Sequence, residues 1–148
     1  MRRSLFAVAW IVLILGDSHE VLLRNIRFCG GGDTLKWVEA TPCLEEPCAF
    51  EKPTWIHLKF AMAPSKPTET LRLQAFAEIN GSNLSLPGLP NDLCKLTSCP
   101  LHGANDVRQM NFSVPIKSFY PSNNYTVAFY AYGDNGLEFC GKTDMRIL

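Results

Sequence analysis

"LRLQAFAEI", residues 71–79, is the stretch whose reading decides the fold. Leucine and alanine tolerate a helix well, so composition alone leaves the segment open. The order of the residues closes it. Leu71, Leu73, Ala75, Ala77 and Ile79 alternate against Arg72, Gln74 and Glu78, a strict period of two that sends one face of a strand to an apolar neighbour and the other to water.

The same period recurs on either side. In "TWIHLKFAMA", residues 54–63, Ile56, Leu58, Phe60 and Met62 share a face while His57 and Lys59 take the other. "MNFSVPI", residues 110–116, puts Met110, Phe112, Val114 and Ile116 on one side and Asn111 outward. Further strands are expected at Val21–Phe28, Thr34–Ala40, Tyr125–Tyr132 and Phe139–Ile147. "YGDNGLE" between the last two is a turn, in which Gly133 and Gly136 can supply positive φ. Seven short strands separated by Gly, Pro and Asn clusters predict an all-β chain, an antiparallel β-sandwich. The sequence shows no repeat, low-complexity tract or second domain.

At the amino terminus, "MRRSLFAVAWIVLIL" places two arginines before an apolar run from Leu5 to Leu15. That run is too short for a bilayer, which needs about 20 residues. Gly16 and Ser18 suit a signal peptidase, so residues 1–18 are expected to be a signal peptide and 19–148 the mature domain. Removing Arg2, Arg3 and Asp17 from 14 basic and 14 acidic side chains leaves 12 and 13. A near-neutral chain without a basic run argues against nucleic acid or an anionic membrane as the main partner.

All six cysteines, 29, 43, 48, 94, 99 and 140, fall in the mature part. An even count behind a signal peptide reads as three disulfides, in any of about 15 pairings. "CLEEPC" and "CKLTSC" each look like a locally closed loop; if both close, Cys29 is left for Cys140. A zinc site fits poorly, because thiolates persist badly in an oxidising compartment and no histidine stands at ligand spacing. Neither a metal nor a cofactor is expected. Four Asn-x-Ser/Thr sequons, at Asn80, Asn83, Asn111 and Asn124, are candidate glycosylation sites.

Catalytic chemistry finds little footing. His57 lies on a strand face and His102 in a turn; neither belongs to a nucleophile motif, and GxSxG and HExxH are absent. With every cysteine in a disulfide no thiol nucleophile remains, so an enzyme is not expected. "CGGGD", residues 29–33, lacks the lysine and following helix of a phosphate loop. Glu45 and Glu46, inside a tight disulfide loop, read as solvated. The surplus lies in "NGSNLSLPGLPNDLC", residues 80–94, where Leu84, Leu86 and Leu89 occupy a proline-broken loop beside two sequons. Such leucines either cap the core or line an opening into it, and a dry opening between splayed sheets would hold an apolar ligand.

The order of "FCGGGD", "ATPCLEEPC", "LPNDLCKLTSCPL", "VPIKSFYPS" and "LEFCG" resembles the ML lipid-recognition family, which includes Niemann-Pick type C2 proteins and the group 2 mite allergens. The resemblance covers nearly the whole mature chain. It implies an immunoglobulin-like β-sandwich with an apolar cavity between its sheets, and the pairings Cys29–Cys140, Cys43–Cys48 and Cys94–Cys99. It also implies a lipid site made of Ile56, Leu58, Phe60, Met62, Leu86, Ile116, Tyr120 and Phe129, with Tyr120 at the entrance. The family's sterol carriers have a tryptophan after the last cysteine, where this chain has Gly141, and an aromatic where it has Leu86. Those departures reshape the cavity without making it polar.

The function so implied is non-enzymatic. A secreted or late-endosomal and lysosomal carrier would bind a sterol or similar apolar lipid and pass it to a membrane transporter or receptor, acting as a monomer. Two other readings compete: a recognition protein for microbial lipid or a small semiochemical, and an adhesive sandwich with a filled core. Near the expected mouth only Lys117 and Lys95 could meet phosphates, which favours a neutral ligand.

Overall fold

A computed structural model describes residues 19–148, so the expected signal peptide and its cleavage point lie outside the described residues. Ten strands follow in chain order: β1 (Val21–Leu22), β2 (Arg27–Gly30), β3 (Leu35–Thr41), β4 (Cys48–Phe50), β5 (Thr54–Met62), β6 (Leu71–Ile79), β7 (Ser82–Ser85), β8 (Arg108–Ile116), β9 (Asn123–Gly133) and β10 (Gly136–Ile147). A single turn of 3-10 helix spans Leu93–Lys95. Among the described residues no helix is long and apolar enough to cross a membrane.

The strands form two sheets, one ordered β1-β3-β5-β8 and the other β2-β10-β9-β6-β7, with β4 added beside β10. Alternation decides which residues meet between them. Ile56 pairs with Val114 and Leu58 with Phe112 across β5 and β8, while Ala75 pairs with Phe129 and Ala77 with Val127 across β6 and β9. These inward rows face each other to make the sandwich interior. The three disulfides join Cys29 to Cys140, Cys43 to Cys48 and Cys94 to Cys99.

The architecture departs from the sequence-based expectation in four places. Residues 21–28 are not one strand but β1 and β2, which belong to opposite sheets. Between them the chain crosses over, and the N–H groups of Arg24 and Asn25 donate to the Glu46 carboxylate rather than to a neighbouring strand. Glu46 is therefore not merely solvated. The short β4 and β7 bring the total to ten rather than seven, and β4 runs parallel to β10 in an otherwise antiparallel sandwich. In the β9–β10 hairpin only Gly136 takes positive φ, +100°. Gly133 is there for space, since a Cβ would stand 2.7 Å from Thr68 Oγ1.

Buried apolar side chains fall into two clusters rather than one. One contains Leu35, Met62, Leu71, Leu93, Leu101 and Met110. The other contains Phe50, Ile56, Ala77, Ile116, Tyr125 and Ile147. A filled sandwich usually shows one contiguous core; here the interior is divided.

Candidate functional site: an apolar cavity between the sheets

A cavity of about 320 Å³ lies between the two sheets. Val38, Ala40, Ile56, Leu58, Phe60 and Phe112 wall it on the four-stranded sheet. Leu73, Ala75, Ala77, Val127, Phe129 and Met145 do so on the other. Leu58, Phe112, Val127 and Phe129 are only half-buried although they point inward from mid-strand, as expected of side chains that face space instead of atoms. Ala75 and Ala77 keep the β6 wall low opposite the larger Phe129 and Val127.

The rim forms where the edge strands β7 and β8 approach. The leucine loop after β7 is laid back over β6: Leu86 N–H donates to the Ala75 carbonyl at 3.3 Å, and Leu73 N–H to the Asn91 carbonyl at 2.9 Å. Gly88, at φ +83°, presses close enough to β8 that a Cβ would lie 3.1 Å from Pro115 Cδ. The Asp92 side chain caps the 3-10 turn by accepting from Cys94 N–H at 3.0 Å, and the Cys94–Cys99 bridge closes the far end. The cavity lining reaches the surface at Leu84, which is 53% exposed.

Across the rim stands the turn between β8 and β9. Tyr120 N–H donates to the Lys117 carbonyl at 3.1 Å, and the Tyr120 carbonyl accepts from Lys52 Nζ at 2.8 Å. Tyr125 lines the cavity below and spends its hydroxyl on the Pro121 carbonyl at 2.5 Å, so it pins the turn and offers no polarity inward. Phe119, packed edge-to-face on Tyr120 with ring centroids 5.2 Å apart, is 79% exposed.

Polar side chains in the lining are few and peripheral. Asp144 belongs to it but spends its carboxylate elsewhere, on Arg27 Nη1 at 3.1 Å and Nη2 at 3.0 Å and on the Thr126 hydroxyl at 2.8 Å. Those bonds, Arg27 first, hold its carboxyl below the usual aspartate range. Among the described residues no group of three His, Cys, Asp or Glu side chains could hold a metal ion. His57 Nδ1 lies 2.6 Å from Ser113 Oγ, but both residues are exposed and neither lines the cavity.

Of the residues expected from the sequence to meet a ligand, Ile56, Leu58, Phe60, Leu86, Ile116, Tyr120 and Phe129 all line this one cavity. Met62 does not. It is 0% exposed within the cluster that contains Leu71, Leu93, Leu101 and Met110, because those side chains close the sandwich at its end. Lys95 sits on the 3-10 turn, whose Leu93 belongs to that same closed cluster, while Lys52, bonded to Tyr120, is the rim cation that sequence reasoning missed. Leu23 and Phe50 also line the cavity, and neither lies in an alternating run that could have marked it. All four sequon asparagines are exposed.

These features define a class, an all-β sandwich with an internal apolar cavity and a surface rim. The ML domain family profile matches residues 25–147, and the chain belongs to that family. It is 27% identical to the mite group 2 allergen Tyr p 2 of Tyrophagus putrescentiae over 143 residues, 95% of this chain and 98% of that one. It is 24% identical to the NPC intracellular cholesterol transporter 2 of Canis lupus familiaris over 146 residues, 97% of each. A crystal structure of a Niemann-Pick type C2 protein from Japanese carpenter ant superposes with a TM-score of 0.74 at 17% identity, covering 83% of this chain and 98% of that one. The fold is shared.

Proposed function

We propose that this protein is a non-enzymatic carrier that binds a sterol or similar apolar lipid between its sheets and transfers it. The observation that carries the reading is the apolar cavity of about 320 Å³, which falls within the volume range of ligand sites. Binding would draw on apolar area leaving water, about 25 cal/mol for each Å². The lipid's apolar body occupies the space between Leu58, Phe112, Val127 and Phe129, and its polar end stays at the rim beside Tyr120. Few hydrogen bonds hold such a cargo, which suits release. The kinship with a protein named as a cholesterol transporter supports a sterol among the candidates.

In this reading the chain is exported by its apolar leader and works outside the cell or in the lumen of the late endosome and lysosome. It hands cargo to a membrane transporter or receptor. A glycan on Asn83, in the edge strand β7 beside the rim, would slow docking. Lys52, donating to the Tyr120 carbonyl and the Ser122 hydroxyl, and Lys117 in the turn that carries Tyr120 are few cations for so apolar a rim, which favours a neutral lipid over a phosphorylated one.

Native mass spectrometry of the secreted, deglycosylated protein tests this directly. A bound lipid mass, competed by cholesterol more readily than by fatty acids or lipid A, is the expected result. Preference for lipid A would favour a recognition role, and a protein that neither carries nor accepts any lipid would overturn the proposal.

A further inference from the structure

Gly141 stands in the interior of β10, where a glycine weakens a strand. Its φ lies outside the left-handed region, so backbone conformation does not require it. Space does. A Cβ at this position would lie 2.5 Å from Phe129 Cζ, 2.7 Å from Phe129 Cε2 and 3.0 Å from Ile26 Cγ2. Gly141 and Phe129 are opposite one another in the β10–β9 register, and the far end of the ring lies over the glycine. Phe139 bounds the ring on a further side, edge-to-face at 6.1 Å between centroids. β10 lies beneath the ring, Phe139 stands beside it and the cavity opens on a further side, so the space into which the ring can yield is the cavity.

We infer that Gly141 is a specificity-determining position: lacking a side chain, it lets Phe129 fold back against β10 and thereby sets how long an apolar ligand the cavity accepts. Any larger residue there turns the Phe129 ring into the cavity. The inference rests on the lipid-carrier reading for its consequence, but the steric claim stands on the geometry alone. Because the clash is with the tip of a side chain and not with backbone, the alanine variant is expected to fold.

The test compares wild type, Gly141→Ala, Phe129→Leu and the double variant. Each is saturated with the fluorescent apolar probe N-phenyl-1-naphthylamine, which is then displaced by saturated fatty acids from octanoate to stearate. Gly141→Ala should lose the longest acids first, with Kd rising roughly fourfold for each methylene excluded. The double variant should recover them, because leucine lacks the ring tip. An unchanged chain-length profile in Gly141→Ala, or a loss that Phe129→Leu does not restore, overturns the inference. If wild type binds none of these ligands, the carrier reading fails, and crystal structures of wild type and Gly141→Ala decide the steric claim. A ring turned inward supports it and an unmoved ring overturns it. Should Gly141→Ala fail to fold, recovery of folding in the double variant supports the clash with Phe129, and failure of both overturns it.

Discussion

Ile116 is 5% exposed, lines the cavity and pairs across β8 and β5 with Thr54, so a larger side chain there grows into empty space before it meets packed atoms. Ile116→Trp should occupy part of the site and raise the Kd for a fluorescent cholesterol analogue at least tenfold, about 1.4 kcal/mol. The melting temperature should change little, since filling a cavity does not strain its walls as overpacking a dense core does. Unchanged affinity in the folded variant would remove Ile116 from the site. Met62 shows the limit of reading single residues. It shares the inward face with Ile56, Leu58 and Phe60, and the period of two says no more than that. Whether an inward side chain meets another side chain or a void depends on what the opposite sheet supplies.

The segment that follows the 3-10 turn is tied to the start of β8 largely through Arg108. Its Nε and Nη2 donate to the Asp106 carboxylate at 2.6 and 3.0 Å. Its Nη1 donates to Thr97 Oγ1 at 3.1 Å and to the Ser98 carbonyl at 2.6 Å. Asp106 also accepts from His102 N–H at 2.8 Å. The Arg108 hydrogen bonds, and then that of His102, hold the Asp106 carboxyl below its ordinary value. Its contribution to stability is therefore complete above the unfolded value of about 3.9 and is lost as pH falls through the lower folded one. Urea unfolding at about pH 6 and about pH 3 should show a smaller acid-induced loss for Asp106→Asn than for wild type. An equal loss would mean that this pair does not contribute to acid sensitivity. Asp134 and Asp144, also held low by hydrogen bonds, keep their share in the variant. None of this tethering was legible in the sequence, where residues 97–108 carry no periodicity and the arginine's partners lie in a loop. β4 and β7 were missed for a related reason: three- and four-residue strands are too short to display a period.

Over the whole molecule, the Cys29–Cys140 bridge spans 111 residues and the other two span five each. In the chain-entropy account, replacing Cys29 and Cys140 by alanine should cost about 4–5 kcal/mol, against about 2 kcal/mol for either short loop. Urea unfolding of the three paired variants checks the order, and equal losses would contradict it. The long bridge ties β2 to β10, and so holds the amino-terminal crossing over Gly141.

By itself the sequence determined the inward faces of β5, β6 and β8 and the presence of strands where β9 and β10 lie; its resemblance to the ML family implied the three cysteine pairs and eight ligand contacts, seven of which line the cavity. The inward faces are properties of periodicity, which local chemistry imposes before the sheets ever meet. Only the tertiary structure decided that residues 21–28 divide between two sheets, that Glu46 holds the crossing, that Met62 lies in a closed core, and that a ring over Gly141 shapes the void. The physical reason is that alternation encodes direction without distance. How far apart two apolar faces stand depends on what fills each end of the sandwich, and that is settled by side chains distant in the chain that become neighbours only on folding.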